Sequence, residues 1–176
     1  MIIPPERFQD EELFYTREEL ENAGYGIVIA STRTGLCPGA RGGQAEATIS
    51  LDEVRVDDYV AAVYVGGGGA KLLYHDSQAQ AIARDMDRQG KVVAAICLAP
   101  VILANAGLLR GKNATVAGTE AKTLTDQGAA YMGPGVFVDE NIVTANAPKA
   151  SRLFGQRIHE AICATMAEQY RTSNAT

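Results

Sequence analysis

Short apolar runs alternate along this chain with longer segments in which apolar residues recur every three or four positions. The clearest run is Val92–Ile96, whose five consecutive apolar residues predict a strand buried on both faces of a parallel sheet. The clearest helical pattern covers 77–89, with Ala79, Ile82 and Met86 on one side. The alternation continues from start to finish and predicts an α/β fold, a mostly parallel sheet with helices on both faces.

The same patterns predict the remaining elements. They are strands at 1–3, 26–30, 59–65 and 115–117, short strand pieces around 47–50, helices at 10–23, 120–127 and 148–170, and a hairpin of 136–138 with 142–145. In such sheets ligands bind at the carboxyl ends of the strands, where the turn after Ile3, the glycines after Val65, and Cys97 all fall. The chain of 176 residues has no internal repeat or linker, which predicts one domain spanning residues 1–176.

Cys97 lies where the predicted strand gives way to a helical pattern that begins at Leu98. The small residues Ala95 and Ala99 flank it at the two positions where a nucleophile elbow crowds the backbone. A thiol at a helix N-terminus faces free N–H groups and the positive end of the dipole, so we expect a lowered thiol pKa. The alternative interpretation is a small buried apolar residue, which is common for free cysteine.

The glycine run Gly66–Gly69 follows the predicted strand 59–65. It lacks the spacing of a dinucleotide fingerprint and the ending of a P-loop, so no cofactor is predicted. Glycine lets a backbone N–H approach a reacting oxygen closely, and the N–H of Leu98 would be the second donor of an oxyanion hole. The alternative is a flexible turn.

Three acidic residues, Asp10, Glu11 and Glu12, begin the first predicted helix. Acids in a first turn usually complement the helix dipole. A protonated carboxyl held against the thiol would do more, because it would donate to the thiolate, raising the pKa of the acid and lowering that of the thiol.

Composition limits the classes of binding partner and the cellular compartment that we expect for this protein. A net charge of −5 without a long basic run argues against nucleic acid and anionic membranes, and no apolar run is long enough to span a bilayer. The cysteines Cys37, Cys97 and Cys163 are widely spaced, which predicts neither a disulfide framework nor a metal site. These features, with no secretion signal at the N-terminus, predict a cytoplasmic protein.

Five motifs resemble the ThiJ/PfpI superfamily and cover essentially the whole chain in the expected order. They are F-x-D-x-E-L at 8–13, V-x-x-G-G at 63–67, A-I-C-x-x-P at 95–100, A-G-L-L-x-G-K at 106–112 and N-A-P at 146–148. The resemblance implies a flavodoxin-like α/β three-layer sandwich of the class I glutamine amidotransferase-like type, assembled as a homodimer or a larger homo-oligomer. It also implies that Cys97 is the nucleophile, that Glu12 is the acid contacting it, and that Gly67 and Leu98 supply the oxyanion donors.

The chain departs from the intracellular protease branch of this superfamily at several positions. That branch has a histidine after the cysteine, where this chain has Leu98, and a glutamate where this chain has Lys71. Other branches have a histidine near Ala117. Lys71 and His75 are candidates for contact with a substrate or a neighbouring subunit, although solvent-exposed positions would explain both.

Two hypotheses follow. The first is a cysteine-dependent enzyme for small aldehydes or amides, of the hydrolase, amidase or cofactor-independent glyoxalase type, with Glu12 as proton carrier. Proteolysis is disfavoured because no base stands beside Cys97 in the sequence. The second is a non-catalytic redox or stress sensor that uses the same thiol.

Overall fold

The computed structural model describes residues 1–175, and its central strand is the apolar run that the sequence marks most clearly. The helices are α1 (Asp10–Asn22), α2 (Ser77–Arg88), α3 (Pro100–Asn105), α4 (Ala121–Asp126) and α5 (Ser151–Asn174). The strands are β1 (Ala30–Ser31), β2 (Gly35–Pro38), β3 (Gln44–Ala47), β4 (Ile49–Ser50), β5 (Ala61–Tyr64), β6 (Val92–Ile96), β7 (Asn113–Ala114), β8 (Ala130–Tyr131), β9 (Val136–Asp139) and β10 (Ile142–Ala145).

Strand β6 lies between β5 and β10, and both pairs are parallel. The hairpin of β9 and β10 adds an antiparallel edge, as predicted. At the other side Ile2 bridges both Ala30 and Tyr64 in parallel, so the N-terminal segment joins β1 to β5. The predicted strand 1–3 is reduced to this bridge because the prolines that follow lack the N–H groups a ladder needs.

Successive residues of β6 face two different cores, which explains its uninterrupted apolar sequence. Val93 and Ala95 pack on one side with Ile82, Met86, Ile102 and Leu103 of α2 and α3. The other side of β6 packs against α1 and α5. This side consists of Val92, Ala94 and Ile96, and its neighbours are Leu20, Phe154 and Ile158. The predicted α/β sandwich of three layers is therefore confirmed.

The predicted strand 115–117 is wrong. The strand in this region is β7, which pairs in parallel with β8, and β8 had no clear pattern in the sequence. The N–H of Thr115 donates instead to the hydroxyl of Thr144 at 3.0 Å, so a side chain replaces the ladder. Within residues 1–175, no helix is both long enough and apolar enough to cross a membrane.

Candidate active site

Cys97 stands directly after β6 with a φ of 64°, a left-handed backbone conformation that residues other than glycine rarely adopt. Its N–H donates to the carbonyl of Ala145 at 2.9 Å, and its own carbonyl accepts from the N–H of Ala117 at 2.7 Å. The sharp bend predicted here is present, but α3 begins at Pro100 and not at Leu98. Strain held in place by neighbouring strands is typical of functional positions.

The carboxyl of Glu12 is fully buried at the start of α1. Its Oε1 accepts a hydrogen bond from the N–H of Gly66 at 3.0 Å. The Cys97 thiol lies beside the carboxyl and interacts with it. In the part of the chain that the structure describes, Oε2 nevertheless has no partner of regular hydrogen-bond geometry. One oxygen of the acid is therefore anchored by a backbone N–H, and the carboxyl as a whole lies beside the thiol.

Burial is the dominant influence on both ionisable groups. It raises the pKa of Glu12 to about 8, against lowering contributions from the thiol and the N–H of Gly66. Burial also raises the pKa of the Cys97 thiol, the Glu12 carboxylate raises it further, and the N–H groups of Gly67 and Leu98 lower it. The expected lowering of the thiol pKa is wrong, because burial and the carboxylate outweigh the amides.

The two groups titrate as a pair, since the charge of either one opposes ionisation of the other. Removing the first proton leaves one negative charge shared between carboxyl and thiol. If Cys97 is the nucleophile that the sequence predicts, it needs the arrangement in which Glu12 keeps the proton and Cys97 is the thiolate.

Two glycines let this geometry form. A Cβ atom on Gly66 would lie 2.6 Å from Glu12 Oε1 and 2.9 Å from Cys97 Cβ, so a side chain there would occupy the site itself. Gly67 has a φ of 102°, and its Cβ would lie 2.5 Å from the N of Gln9. The glycine run is therefore required for close approach.

The N–H groups of Gly67 and Leu98 form hydrogen bonds toward the Cys97 sulfur from two different segments. The structure thus brings together four of the residues singled out in the sequence, namely Cys97, Glu12, Gly67 and Leu98. Their roles as nucleophile, acid and oxyanion donors remain predictions.

The other candidates lie on the surface. Lys71 and His75 are both exposed, and their predicted contact with a substrate or a neighbouring subunit stays a prediction. The second histidine, His159, lies on α5, where its Nδ1 shares a hydrogen bond of 2.8 Å with the hydroxyl of Tyr25. Among residues 1–175, no three His, Cys, Asp or Glu side chains are grouped closely enough to hold a metal ion.

Sequence reasoning missed two residues near the thiol, Tyr74 and Glu120. Burial raises the pKa of the Tyr74 phenol, and the charges of Glu120 and Cys97 raise it further. Glu120 reaches this position because its N–H donates to the carbonyl of Ala117 at 2.8 Å, in the segment bonded to the Cys97 carbonyl. No local pattern marks either residue, since only the fold brings them near the sulfur.

Sequence comparison connects this arrangement to known proteins. The model of the DJ-1/PfpI family matches residues 1–161. The chain belongs to the DJ-1/PfpI family. This confirms the resemblance to the ThiJ/PfpI superfamily that the five motifs indicated.

Individual proteins similar to this DJ-1/PfpI chain cover most of its length. The protein MJ0967 of Methanocaldococcus jannaschii is 41% identical over 165 residues, which cover 92% of this chain and 80% of that protein. Deglycase TK1284 of Thermococcus kodakarensis is 32% identical over 148 residues, 84% of this chain and 89% of that one. The crystal structure of a ThiJ/PfpI domain protein from Brachyspira murdochii superposes with a TM-score of 0.90 at 32% identity, covering 93% of this chain and 94% of that one.

Proposed function

We propose that this protein is a cysteine-dependent enzyme that acts on small reactive carbonyl compounds, above all aldehydes. The observation that carries the proposal is the buried Glu12 carboxyl, which is anchored by the N–H of Gly66 and lies beside a thiol on a strained bend. Relatives that are named deglycases, at about a third identity, favour small-molecule carbonyl chemistry over other uses of the thiol.

The first step uses the singly charged pair with its proton on Glu12. The Cys97 thiolate attacks the aldehyde carbon, a C–S bond forms, and the π bond of the carbonyl breaks. The oxygen takes the proton of Glu12, which leaves a hemithioacetal and a carboxylate. The N–H groups of Gly67 and Leu98 stabilise the charge on that oxygen as it develops.

With an α-oxoaldehyde the carboxylate has a second task. Glu12 removes the hydrogen of the sulfur-bound carbon as a proton and returns it to the neighbouring carbon. The hydroxyl proton on the sulfur-bound carbon passes to the oxygen of that neighbouring carbon, so the hemithioacetal becomes a thioester of a 2-hydroxy acid. Water then hydrolyses the thioester and regenerates the thiol. No other oxidant or reductant is needed, because one carbon is oxidised while its neighbour is reduced.

The same buried carboxyl beside the thiol favours a second candidate function, redox sensing. Peroxide converts an exposed thiolate first to a sulfenic acid and then to a sulfinic acid. A protonated Glu12 would donate to a sulfinate oxygen and stabilise that state. Proteolysis is not proposed, because Leu98 follows Cys97 and neither histidine among residues 1–175 is found in contact with the thiol.

Methylglyoxal turnover by the wild type, Cys97→Ser and Glu12→Gln tests the proposal. We expect both variants to lose about 100-fold or more in kcat/KM, and Cys163→Ser, the control on an exposed thiol, to retain activity. If the wild-type protein does not turn over methylglyoxal, the proposal that it is such an enzyme is wrong. Two oxygens added to Cys97 after mild peroxide, located by mass spectrometry in protein that lacks turnover, would instead support the sensor.

We further propose that the acting form is a homodimer or a larger homo-oligomer in the cytoplasm, with a small molecule as its partner. Light scattering on the purified protein measures the assembly. A monomer at all concentrations tested would contradict it.

A further inference from the structure

Only three residues other than glycine have a left-handed backbone within residues 1–175, and two of them border the glycine turn Gly66–Gly69. They are Arg7, with a φ of 54°, Cys97, with a φ of 64°, and Glu140, with a φ of 55°. Glu140 lies between β9 and β10, in a hairpin turn where this conformation is common. Arg7 and Cys97 are not in hairpin turns, and strain of this kind concentrates at functional positions.

The backbone of Arg7 is fixed from two sides. Its N–H donates to the carbonyl of Pro38 at 2.8 Å, and its carbonyl accepts from the N–H of Gly69 at 3.1 Å. The same carbonyl packs so closely on Gly67 that a Cβ atom there would lie 2.5 Å from the Arg7 oxygen. None of these contacts needs an arginine side chain, since a glycine at position 7 would make them all without strain.

The side chain of Arg7 lies against the same turn. Its Nη1 atom is 3.9 Å from the position that a Cβ atom on Gly68 would take. At the other end of the turn, a Cβ atom on Gly66 would lie 2.9 Å from the Cβ of Cys97. The guanidinium and the reactive cysteine therefore contact glycines that are only two positions apart.

The guanidinium of Arg7 is available to a ligand. The side chain is 60% exposed, and its ion pair with Glu6 is long, at 3.7 Å from Nη2 to Oε1. Exposed pairs of this kind contribute little to stability. A guanidinium binds carboxylate and phosphate groups through two parallel N–H groups. Because the chain carries a net charge of −5, a cation at this turn is not simply part of a basic surface.

We propose that Arg7 is a specificity-determining residue, whose guanidinium binds a negatively charged group of the carbonyl compound that reacts at Cys97. The inference rests on the proposed function and names its substrate class, an aldehyde that also carries a carboxylate or a similar anionic group. The strain then has a reason, because a long cationic side chain is kept where glycine would suit the backbone better. Arg7 transfers no proton and holds the anion while the C–S bond forms.

Alkylation of Cys97 by iodoacetate and by iodoacetamide tests this role, because the two reagents are nearly equal in size and differ in charge. Mass spectrometry of the Cys97 peptide gives both second-order rates. We expect Arg7→Gln to lower the iodoacetate rate about threefold and to leave the iodoacetamide rate unchanged. Arg7→Lys, which keeps the charge, should retain most of the iodoacetate rate, and added salt should reduce the wild-type preference for iodoacetate.

Arg55→Gln is the matched control, because this side chain is also exposed and forms one long ion pair, at 3.8 Å to Asp58. The neighbouring Val56 carbonyl accepts from Lys91 Nζ at 2.8 Å, just before β6 and hence at the end of that strand opposite Cys97. This variant should keep both wild-type rates.

Two aldehydes connect the anion site with the proposed chemistry. Glyoxylate and acetaldehyde form the same kind of hemithioacetal, but only glyoxylate carries a carboxylate. We expect Arg7→Gln to weaken the protection of Cys97 against iodoacetamide by glyoxylate about fivefold, and to leave the protection by acetaldehyde unchanged.

Arg7→Gly is a second variant, which removes the strain together with the side chain. We expect its midpoint of urea unfolding to equal or exceed the wild-type value, because glycine adopts this φ without a Cβ clash. Its iodoacetate rate should fall as in Arg7→Gln. A lower midpoint would mean that the side chain serves the fold, and would overturn the role in specificity.

The other outcomes separate this role from the proposed function. An iodoacetate rate that Arg7→Gln leaves unchanged overturns the anion site and leaves the proposed function standing. An equal loss with both alkylating reagents means that Arg7 only shapes the turn, which also overturns the anion site. If neither aldehyde protects wild-type Cys97, the proposed function fails, and the ratio of the two alkylation rates still decides whether Arg7 attracts anions.

Discussion

Two thiols of this protein, Cys97 and Cys163, have opposite surroundings. Cys163 is exposed on α5, and its sulfur lies 3.9 Å from Nδ1 and 4.0 Å from Nε2 of His159. Within residues 1–175 no imidazole is found in contact with Cys97, but this thiol sits on a strained bend next to a buried carboxyl and two backbone N–H groups. The histidine that would suggest a catalytic pair therefore stands near the exposed thiol and not near the thiol beside the buried carboxyl.

The two thiols differ in how the polar groups around them are hydrogen-bonded. The N–H groups around Cys163 are used within a regular helix, and the ring of His159 is already bonded to Tyr25. At Cys97 the amide of Gly67, on the glycine turn, and the amide of Leu98, just after the bend, interact with the sulfur. Proximity of a thiol and an imidazole on the surface is therefore not enough to indicate a site. Cys97 is the better candidate because a carboxyl and two backbone N–H groups surround its sulfur.

The largest effect is expected from Gly66→Ala, which fills the space between the acid and the thiol. The added Cβ would lie 2.6 Å from both Glu12 Oε1 and the carbonyl of Ile96, and backbone there cannot move aside. We expect a loss of about 2–3 kcal/mol in the free energy of unfolding and about 100-fold in turnover. Urea unfolding and methylglyoxal kinetics measure the two.

Gly26→Ala is the matched control for this substitution. A Cβ at Gly26 meets no heavy atom within 4 Å, and its φ lies outside the left-handed region. The control should keep its stability and turnover, and alkylation of Cys163 should be the same in both variants. If Gly66→Ala retained full activity, the close approach of Glu12 and Cys97 would not matter for function.

The second largest effect is expected from Glu12→Gln on the pH dependence of the free energy of unfolding. Between the ordinary carboxyl pKa of 4.5 and the folded value of about 8, the folded protein holds a proton that the unfolded chain has released. The free energy of unfolding therefore falls as the pH rises across this interval, by about a few kcal/mol. Glu12→Gln should remove most of this slope in urea unfolding at pH 5, 6.5 and 8.

The exposed Glu46 provides the control. Glu46→Gln should keep the wild-type slope, because this substitution leaves the buried Glu12 carboxyl in place. Parallel slopes for Glu12→Gln and the wild type would show that the carboxyl is ionised without cost in the fold. They would also remove the basis for treating it and Cys97 as a pair.

The smallest effect is expected at the other thiol. Tyr25→Phe removes the hydrogen bond of 2.8 Å to His159 on the half-exposed side of α5. We expect the free energy of unfolding to fall by about 1 kcal/mol or less, and methylglyoxal turnover to stay unchanged. A large loss of turnover would mean that the Cys163 region contributes to the site, contrary to the contrast drawn between the two thiols.

Sequence patterns predicted most of the elements and four members of the candidate site. The run Val92–Ile96 was located to the residue, because burial on both faces demands continuous apolar side chains. The short strands β7 and β8 were not predicted correctly, since two-residue strands are too short to carry a period. Tyr74 and Glu120 were not predicted either, because their interactions join segments that are far apart in the chain.

What the sequence alone determined is the alternation of strand and helix, the bend at Cys97 and the presence of an acid on the first helix. Each follows from local spacing and residue size. What only the tertiary structure decided is how readily Glu12 and Cys97 ionise. Burial, a property of the assembled fold, raises the pKa of both Glu12 and Cys97, whereas the local features of the bend favoured the thiolate alone.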